Sequence, residues 1–106
     1  MTVHHLQRAR EAWLHLAYRA NTGLKPFTYR ELSEHVGCHP RSARWYLGVI
    51  QRHCAEHNLP ALQALAVYKA TGLPGSGYLG SRRTPEAHAA ELARVYTVIW
   101  PTDAPF

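Results

Sequence analysis

Arg41, Arg44 and Arg52, with Trp45 among them, are the side chains best suited to chemistry, and that chemistry is recognition of an anion. A guanidinium is planar and always charged, and its parallel N–H groups match a phosphate or the edge of a guanine. At about 100° per residue along a helix, Arg41, Arg44, Gly48 and Arg52 gather on one face with Trp45 beside them. Ala43, Leu47, Ile50 and Cys54 recur at steps of four, three and four on a different face. An apolar back and an Arg-rich front suit a helix that docks on its own protein and leaves its front free for a groove in nucleic acid. A solvated, charged helix face has the same pattern. The position of this helix, directly after a tight break, favours contact with DNA. For Trp45 two placements stay open: at or between the nucleotides, or packed on the N-terminal helix.

Other constellations are poorer. His53 and His57 stand one turn apart with Cys54 between them, and Cys38-His39 lies upstream. Such spacing can supply zinc ligands, but the apolar stripe claims Cys54 for the core and no Cys-x-x-Cys occurs, so no metal is expected. Ser33 or Ser42 beside one of the eight His lacks any orienting motif for a nucleophile. The seven acids sit mostly at caps and on exposed faces rather than paired in a cleft. The segment GLPGSG lacks the Gly-Lys-Ser/Thr ending of a phosphate loop. The expectation is a protein that is not an enzyme and carries no cofactor.

The elements that must hold the Arg face are legible from caps and breaks. Residues 3–20 read as an amphipathic helix with Leu6, Ala9, Trp13, Leu16, Ala17 and Ala20 inward, stopped at Gly23. Thr28 with Glu31 three residues later is a capping box for a second helix, which buries Leu32 and Val36 and closes at Gly37. A third helix is expected from Pro40 to His57, ended by Asn58-Leu59-Pro60. Residues 61–70 fit a helix, or a strand at Ala66–Lys69, ahead of a hairpin or wing shaped by Gly72, Pro74, Gly75 and Gly77. Lys69, Arg82 and Arg83 would hold phosphate from this region, with a plain solvated loop the alternative for Arg82 and Arg83. Thr84 and Pro85 open a last helix to residue 100, with Leu92, Val95, Tyr96 and Ile99 as its buried stripe. The tail to Phe106 is expected to pack an aromatic ring over the domain.

Size and composition agree with one domain spanning residues 1–106 and a modest core. Twelve Lys and Arg against seven Asp and Glu leave net +5, and ten of the twelve are Arg. No apolar run approaches the ~18 residues of a membrane span, and MTVHHLQRAR lacks the apolar core of a secretion signal. Cys38 and Cys54 make no disulfide scaffold, so a reducing cytoplasm is the expected setting.

The order TYRELSEHVG, then Pro40, Arg44 and Gly48, then Asn58 and Pro60, then a Gly-rich turn ending in Tyr78, resembles the DNA-binding domain of O6-alkylguanine-DNA alkyltransferases. The non-repairing alkyltransferase-like proteins share that domain. The resemblance spans residues 27–80, about half the chain, with one extra residue near Cys38-His39. It implies that Tyr29 helps rotate a nucleotide and that Arg44 enters the base stack. From the residues alone, burial of Tyr29 against the third helix is the alternative. The repair enzymes take the alkyl group on the Cys of a Pro-Cys-His-Arg motif; here Leu62-Gln63-Ala64-Leu65-Ala66-Val67 stands in its place. With no thiolate available, alkyl transfer is rejected.

The expected fold is therefore mainly α, a winged helix-turn-helix with a small β element and helices at both ends. The expected function is a non-catalytic double-stranded-DNA-binding module with residues 40–57 as recognition helix. The alternative is a small phage or mobile-element protein that docks on and inhibits a nucleic-acid-handling defence complex, since Arg also suits protein interfaces. A dimeric repressor would need the C-terminal helix as its self-association surface.

Overall fold

Alanine alternates with larger apolar residues along the first helix, and that face seats the core. In the computed structural model, which describes residues 2–75 and 84–106, helix α1 runs Thr2–Thr22. Ala9, Ala12, Trp13, Leu16, Ala17 and Ala20 are all buried along it. The small residues let α2 (Tyr29–Val36) and α3 (Ala43–Glu56) approach closely, and Trp13 and Leu16 fill the remaining space. Leu6, expected in the same stripe, is partly exposed instead.

The second helix begins where its cap dictates. The Thr28 hydroxyl accepts the Glu31 N–H at 3.1 Å, and the Glu31 carboxylate accepts the Thr28 N–H at 2.9 Å. These two bonds satisfy donors that the first turn leaves unpaired, worth about 1 kcal/mol. The bond from the Thr28 N–H to the carboxylate is the largest cause of a Glu31 pKa below its ordinary value. Gly37 ends the helix at φ 86°, a left-handed position that suits glycine, and the N–H groups of Gly37 and Cys38 both reach the Ser33 carbonyl.

Residues 40–42 differ from the expected start of a long helix. They form one 3₁₀ turn, Pro40–Ser42, ahead of α3. Pro40 has no N–H, and the His39 ring nitrogen accepts the Arg41 N–H at 3.0 Å. The first bond to a backbone carbonyl is therefore Ser42 to His39, three residues back. Beyond it α3 buries Ala43, Tyr46, Leu47, Ile50 and Cys54. Tyr46 was not among the expected core residues. Its hydroxyl shares a 2.9 Å hydrogen bond with Ser33, and burial pushes its pKa up to about 12.

Among the described residues the β element is a parallel pair rather than a hairpin. Residues Leu62–Leu65 make a 3₁₀ turn, and β2 (Ala66–Val67) pairs in parallel with β1 (Phe27–Thr28), Phe27 opposite Ala66. Leu62 to Val67 are all buried, so apolar residues are needed on every side, and neither a helical nor an alternating pattern survives to be read. A turn follows, closed by the Tyr68 N–H on Leu73 O at 3.0 Å and the Gly72 N–H on Tyr68 O at 2.8 Å. Gly77, Tyr78, Arg82 and Arg83 of the expected wing lie outside the described residues.

Helix α4 (Pro85–Thr97) is capped by Thr84 as expected but stops short of residue 100. Val95 is fully buried and Leu92 and Tyr96 half-buried, while Ile99 is 92% exposed, contrary to the expected stripe. Asn21 explains the difference. Its side-chain amide accepts the Trp100 N–H and donates to the Trp100 carbonyl, both at 2.8 Å, which pulls the chain out of the helix, and Pro101 bars its continuation. The tail then packs aromatic rings as anticipated: Trp100 and Phe106 meet Trp13 edge to face, each with centroids 5.7 Å apart. Among the described residues the architecture is thus four α-helices and a two-stranded parallel sheet. No helix among them is long and apolar enough to cross a membrane.

Two histidine pairs bring their rings together, one tilted and one stacked. His15 of α1 meets His35 of α2 at 4.6 Å, and His53 meets His57 at 4.2 Å. Burial first, and the neighbouring imidazole second, lower the pKa of His15 and of His53 from the ordinary 6.5. A lowered pKa means that the unfolded chain binds the proton more readily. The associated stability is therefore complete above pH 6.5 and is lost as pH falls from there through the folded-state value. Thermal melts should show a lower Tm at pH 5 than at pH 7.5, and His15→Gln should shrink that difference. A Tm that does not change over this range would contradict the assignment.

Candidate nucleic-acid interface

The back of α3 is buried, so its front is fixed in direction. Arg44 and Arg52 are exposed on that front, and Arg41, expected on the same helix, is exposed in the 3₁₀ turn ahead of it. Among the described residues the single ion pair joins Arg94 to Glu91, so none of the three is neutralised by a carboxylate there. Trp45 stays 53% exposed: the Arg44 guanidinium lies 4.8 Å from its ring centroid and His5 of α1 tilts against it at 5.7 Å. Trp45 thus has one side on α1, as in the packed placement, and keeps an exposed face. Lys69 is exposed in the turn after β2.

In front of the N-terminal half of α3 lies a groove of about 500 Å³. Arg41, Arg44, Gly48 and Gln51 form one wall, and Tyr29, Tyr68 and Gly75 form the other. Ala43 and Leu47, both buried, lie between them with Gln63. The second wall is tightly built. The Gly75 N–H donates to the Tyr29 hydroxyl at 2.6 Å, and the Tyr29 and Tyr68 rings meet edge to face at 4.9 Å. A Cβ on Gly75 would lie 2.9 Å from the Tyr68 ring, so only glycine fits without movement. The predicted Tyr29 therefore lines the groove, and its hydroxyl also anchors the turn that makes the far wall.

Gln63 was not foreseen. It is only 6% exposed, its amide nitrogen donates to Gln51 Oε1 at 3.4 Å, and its own oxygen finds no partner among the described residues. An unpaired buried acceptor costs about 1–3 kcal/mol. Its place is held from behind by α4: Glu91 accepts the Ala61 N–H at 2.7 Å, and His88 bonds the Ala64 carbonyl at 2.8 Å. Both are buried polar residues, and both act on the turn that carries Gln63. Gln51 was legible in principle, three residues after Gly48 on the edge of the Arg face. Gln63 carried no such signal, because its position depends on contacts with α4.

The His and Cys residues weighed as ligands have other occupations. His53 packs against Trp13, Phe106 and His57, and Cys54 is buried, which raises its thiol pKa. Among the described residues no group of three or more His, Cys, Asp or Glu is arranged to hold a metal ion. No family model matches the chain, and no curated protein or solved structure matches it.

Gly48 sits in the middle of α3 with open space where a Cβ would be. Glycine in a helix interior is less stable than alanine by about 0.5–1 kcal/mol. Gly48→Ala should raise the free energy of unfolding by that order, read by urea denaturation. Gly48→Trp, with a bulky ring on the same wall, should instead obstruct the groove and weaken any ligand that enters it, with the fold retained by circular dichroism.

Proposed function

We propose that the protein is a non-catalytic DNA-binding module in which α2, the turn at residues 37–42 and α3 act as a helix-turn-helix, with α3 as the recognition helix. The observation that carries this reading is that Arg44 and Arg52 are exposed on the free face of α3, whose opposite face is buried, with Arg41 exposed in the 3₁₀ turn before it and no carboxylate pairing the three among the described residues. A net charge of +5 adds a long-range attraction to a polyanion. In this arrangement the segment from β2 to Gly75 takes the place of a wing, and Lys69 faces the backbone of the duplex. Arg82 and Arg83 extend the same role by sequence. The likeness to alkyltransferase-like proteins supports the reading at Tyr29 and Arg44, both of which line the groove.

Binding of this kind releases condensed counterions, so the affinity falls steeply with salt. Arg41→Ala and Arg52→Ala should each reduce the slope of log K against log salt by about 0.9, as expected for a lost phosphate contact. Arg44→Ala, which removes a groove residue, should weaken binding more than Arg94→Ala, which removes the same charge from α4. Equal losses from Arg44 and Arg94, or an affinity indifferent to salt, would refute the proposal. Melting curves of each variant separate binding from folding.

A second reading is a protein-docking role for the same face. Trp45 and Tyr68 are each about half exposed beside Arg41 and Arg44, and Trp, Tyr and Arg are the residues that dominate protein interfaces. A shift assay on duplex DNA at moderate salt decides between the two. Absence of any shift, with stable capture of a protein partner through Trp45, favours docking.

A further inference from the structure

The groove in front of α3 has the size and build of a small-molecule site. Its volume of about 500 Å³ falls within the range of about 300–1,000 Å³ typical of ligand pockets. Its walls are fixed by their own bonds. The Gly75 N–H donates to the Tyr29 hydroxyl, and the turn that carries Tyr68 is closed by the Tyr68 N–H on Leu73 O and the Gly72 N–H on Tyr68 O. Glu91 and His88 of α4 hold residues 61–64, so the turn that brings Gln63 to the groove is braced as well. A site built before its ligand arrives loses little on binding to the ordering of side chains.

The lining divides into a charged half and an apolar half. Arg41 and Arg44 stand where the 3₁₀ turn meets α3, and among the described residues no carboxylate pairs either of them. The first turn of α3 holds no acidic residue and Ser42 gives it no side-chain cap, so the positive end of the helix adds to the attraction for an anion there. Ala43 and Leu47 make an apolar stretch, and Tyr68, about half exposed, brings an aromatic ring to the other wall. Gly48 leaves open space where a side chain would stand on the α3 wall. A guanidinium holds a carboxylate or a phosphate through two parallel N–H bonds. A flat ring packs well against tyrosine and aliphatic carbon. An uncharged ring leaves the arginines unmatched, and a bare anion leaves the apolar stretch in water.

We infer that this groove binds a small aromatic anion, a planar ring bearing a carboxylate or a phosphate. Arg41 and Arg44 take the anionic group, and the ring lies between Leu47 and Tyr68. The site goes beyond the DNA-binding reading and does not depend on it.

Calorimetry on the full chain tests the inference with 2-naphthoate and 2-naphthyl phosphate as probes. Their controls are 2-naphthalenemethanol, which has the ring without the charge, and acetate and inorganic phosphate, which have the charge without the ring. The expected result is saturable binding of at least one probe, about tenfold or more tighter than any control, the scale of one charge-assisted hydrogen bond. The tighter of the two probes tells a carboxylate ligand from a phosphate. At saturation the amide resonances of Gly48 and Tyr68 should shift, and that of Arg94 on α4 should not. Arg44→Ala should weaken the probe by about tenfold, and Arg94→Ala should leave it unchanged. Gly48→Trp should abolish binding with the circular dichroism of the folded chain retained. No saturable binding of either probe at millimolar concentration overturns the inference. So does a control that binds as tightly as the probes, which would mean charge or ring alone, or an affinity that Arg44→Ala and Gly48→Trp both leave intact.

Discussion

Trp13 is buried to all but 1% of its surface, and its indole nitrogen donates to the Pro101 carbonyl at 2.7 Å. Its ring meets His53 of α3, Trp100 and Phe106 edge to face, at centroid distances of 5.6 to 5.7 Å. One side chain of α1 thus touches the far end of α3 and both aromatic residues of the tail. Aromatic rings of this size contribute by burial and by the geometry of their edges and faces. The direction in which α3 presents its arginines follows from this packing at one end and from the Tyr46–Ser33 bond nearer the other. With its back held at two points, α3 has only its front to offer.

The polar interior does related work on the groove. Glu91 and His88 each bond a backbone group of residues 61–64, and the turn they hold passes behind the groove before β2 pairs with β1. Buried polar groups are tolerated when they are satisfied, and these two are. The oxygen of Gln63 is unpaired among the described residues, as is Nδ1 of His5, and Gln63 lines the groove.

Local rules made much of this fold readable. Thr28 with Glu31, Gly37, Pro40 and Thr84 with Pro85 mark helix ends through bonds formed within a few residues, and those bonds are present with the partners that the spacing implies. The apolar stripe of α3 was readable for the same reason, since one helix face repeats regularly. Tyr46 escaped because an aromatic ring with a hydroxyl fits either environment until its partner is known, and Ser33 lies on another helix. Ile99 and the end of α4 were misjudged because the stop is imposed by Asn21, some eighty residues away in sequence. The parallel pairing of 27–28 with 66–67 and the siting of Gln63 are likewise long-range. Of the candidate interface, the arginines were visible in the pattern. Of the wall facing them Tyr29 was named, but Tyr68 was not, because it stands with Gly75 in a turn without periodicity.

The tail and α1 are bound to one another by more than Trp13: Asn21 clasps Trp100, and Arg10 donates to the Phe106 carbonyl at 2.8 Å. During synthesis α1 leaves the ribosome before the tail, yet part of the cover over its apolar face is supplied by residues 100–106. The nascent chain therefore carries Trp13 incompletely shielded until those residues emerge. Helices α1 to α3 can associate beforehand, but their closing seam waits for the tail. A product that stops short of these residues would leave that indole uncovered, the kind of exposed apolar surface that chaperones and proteases act on.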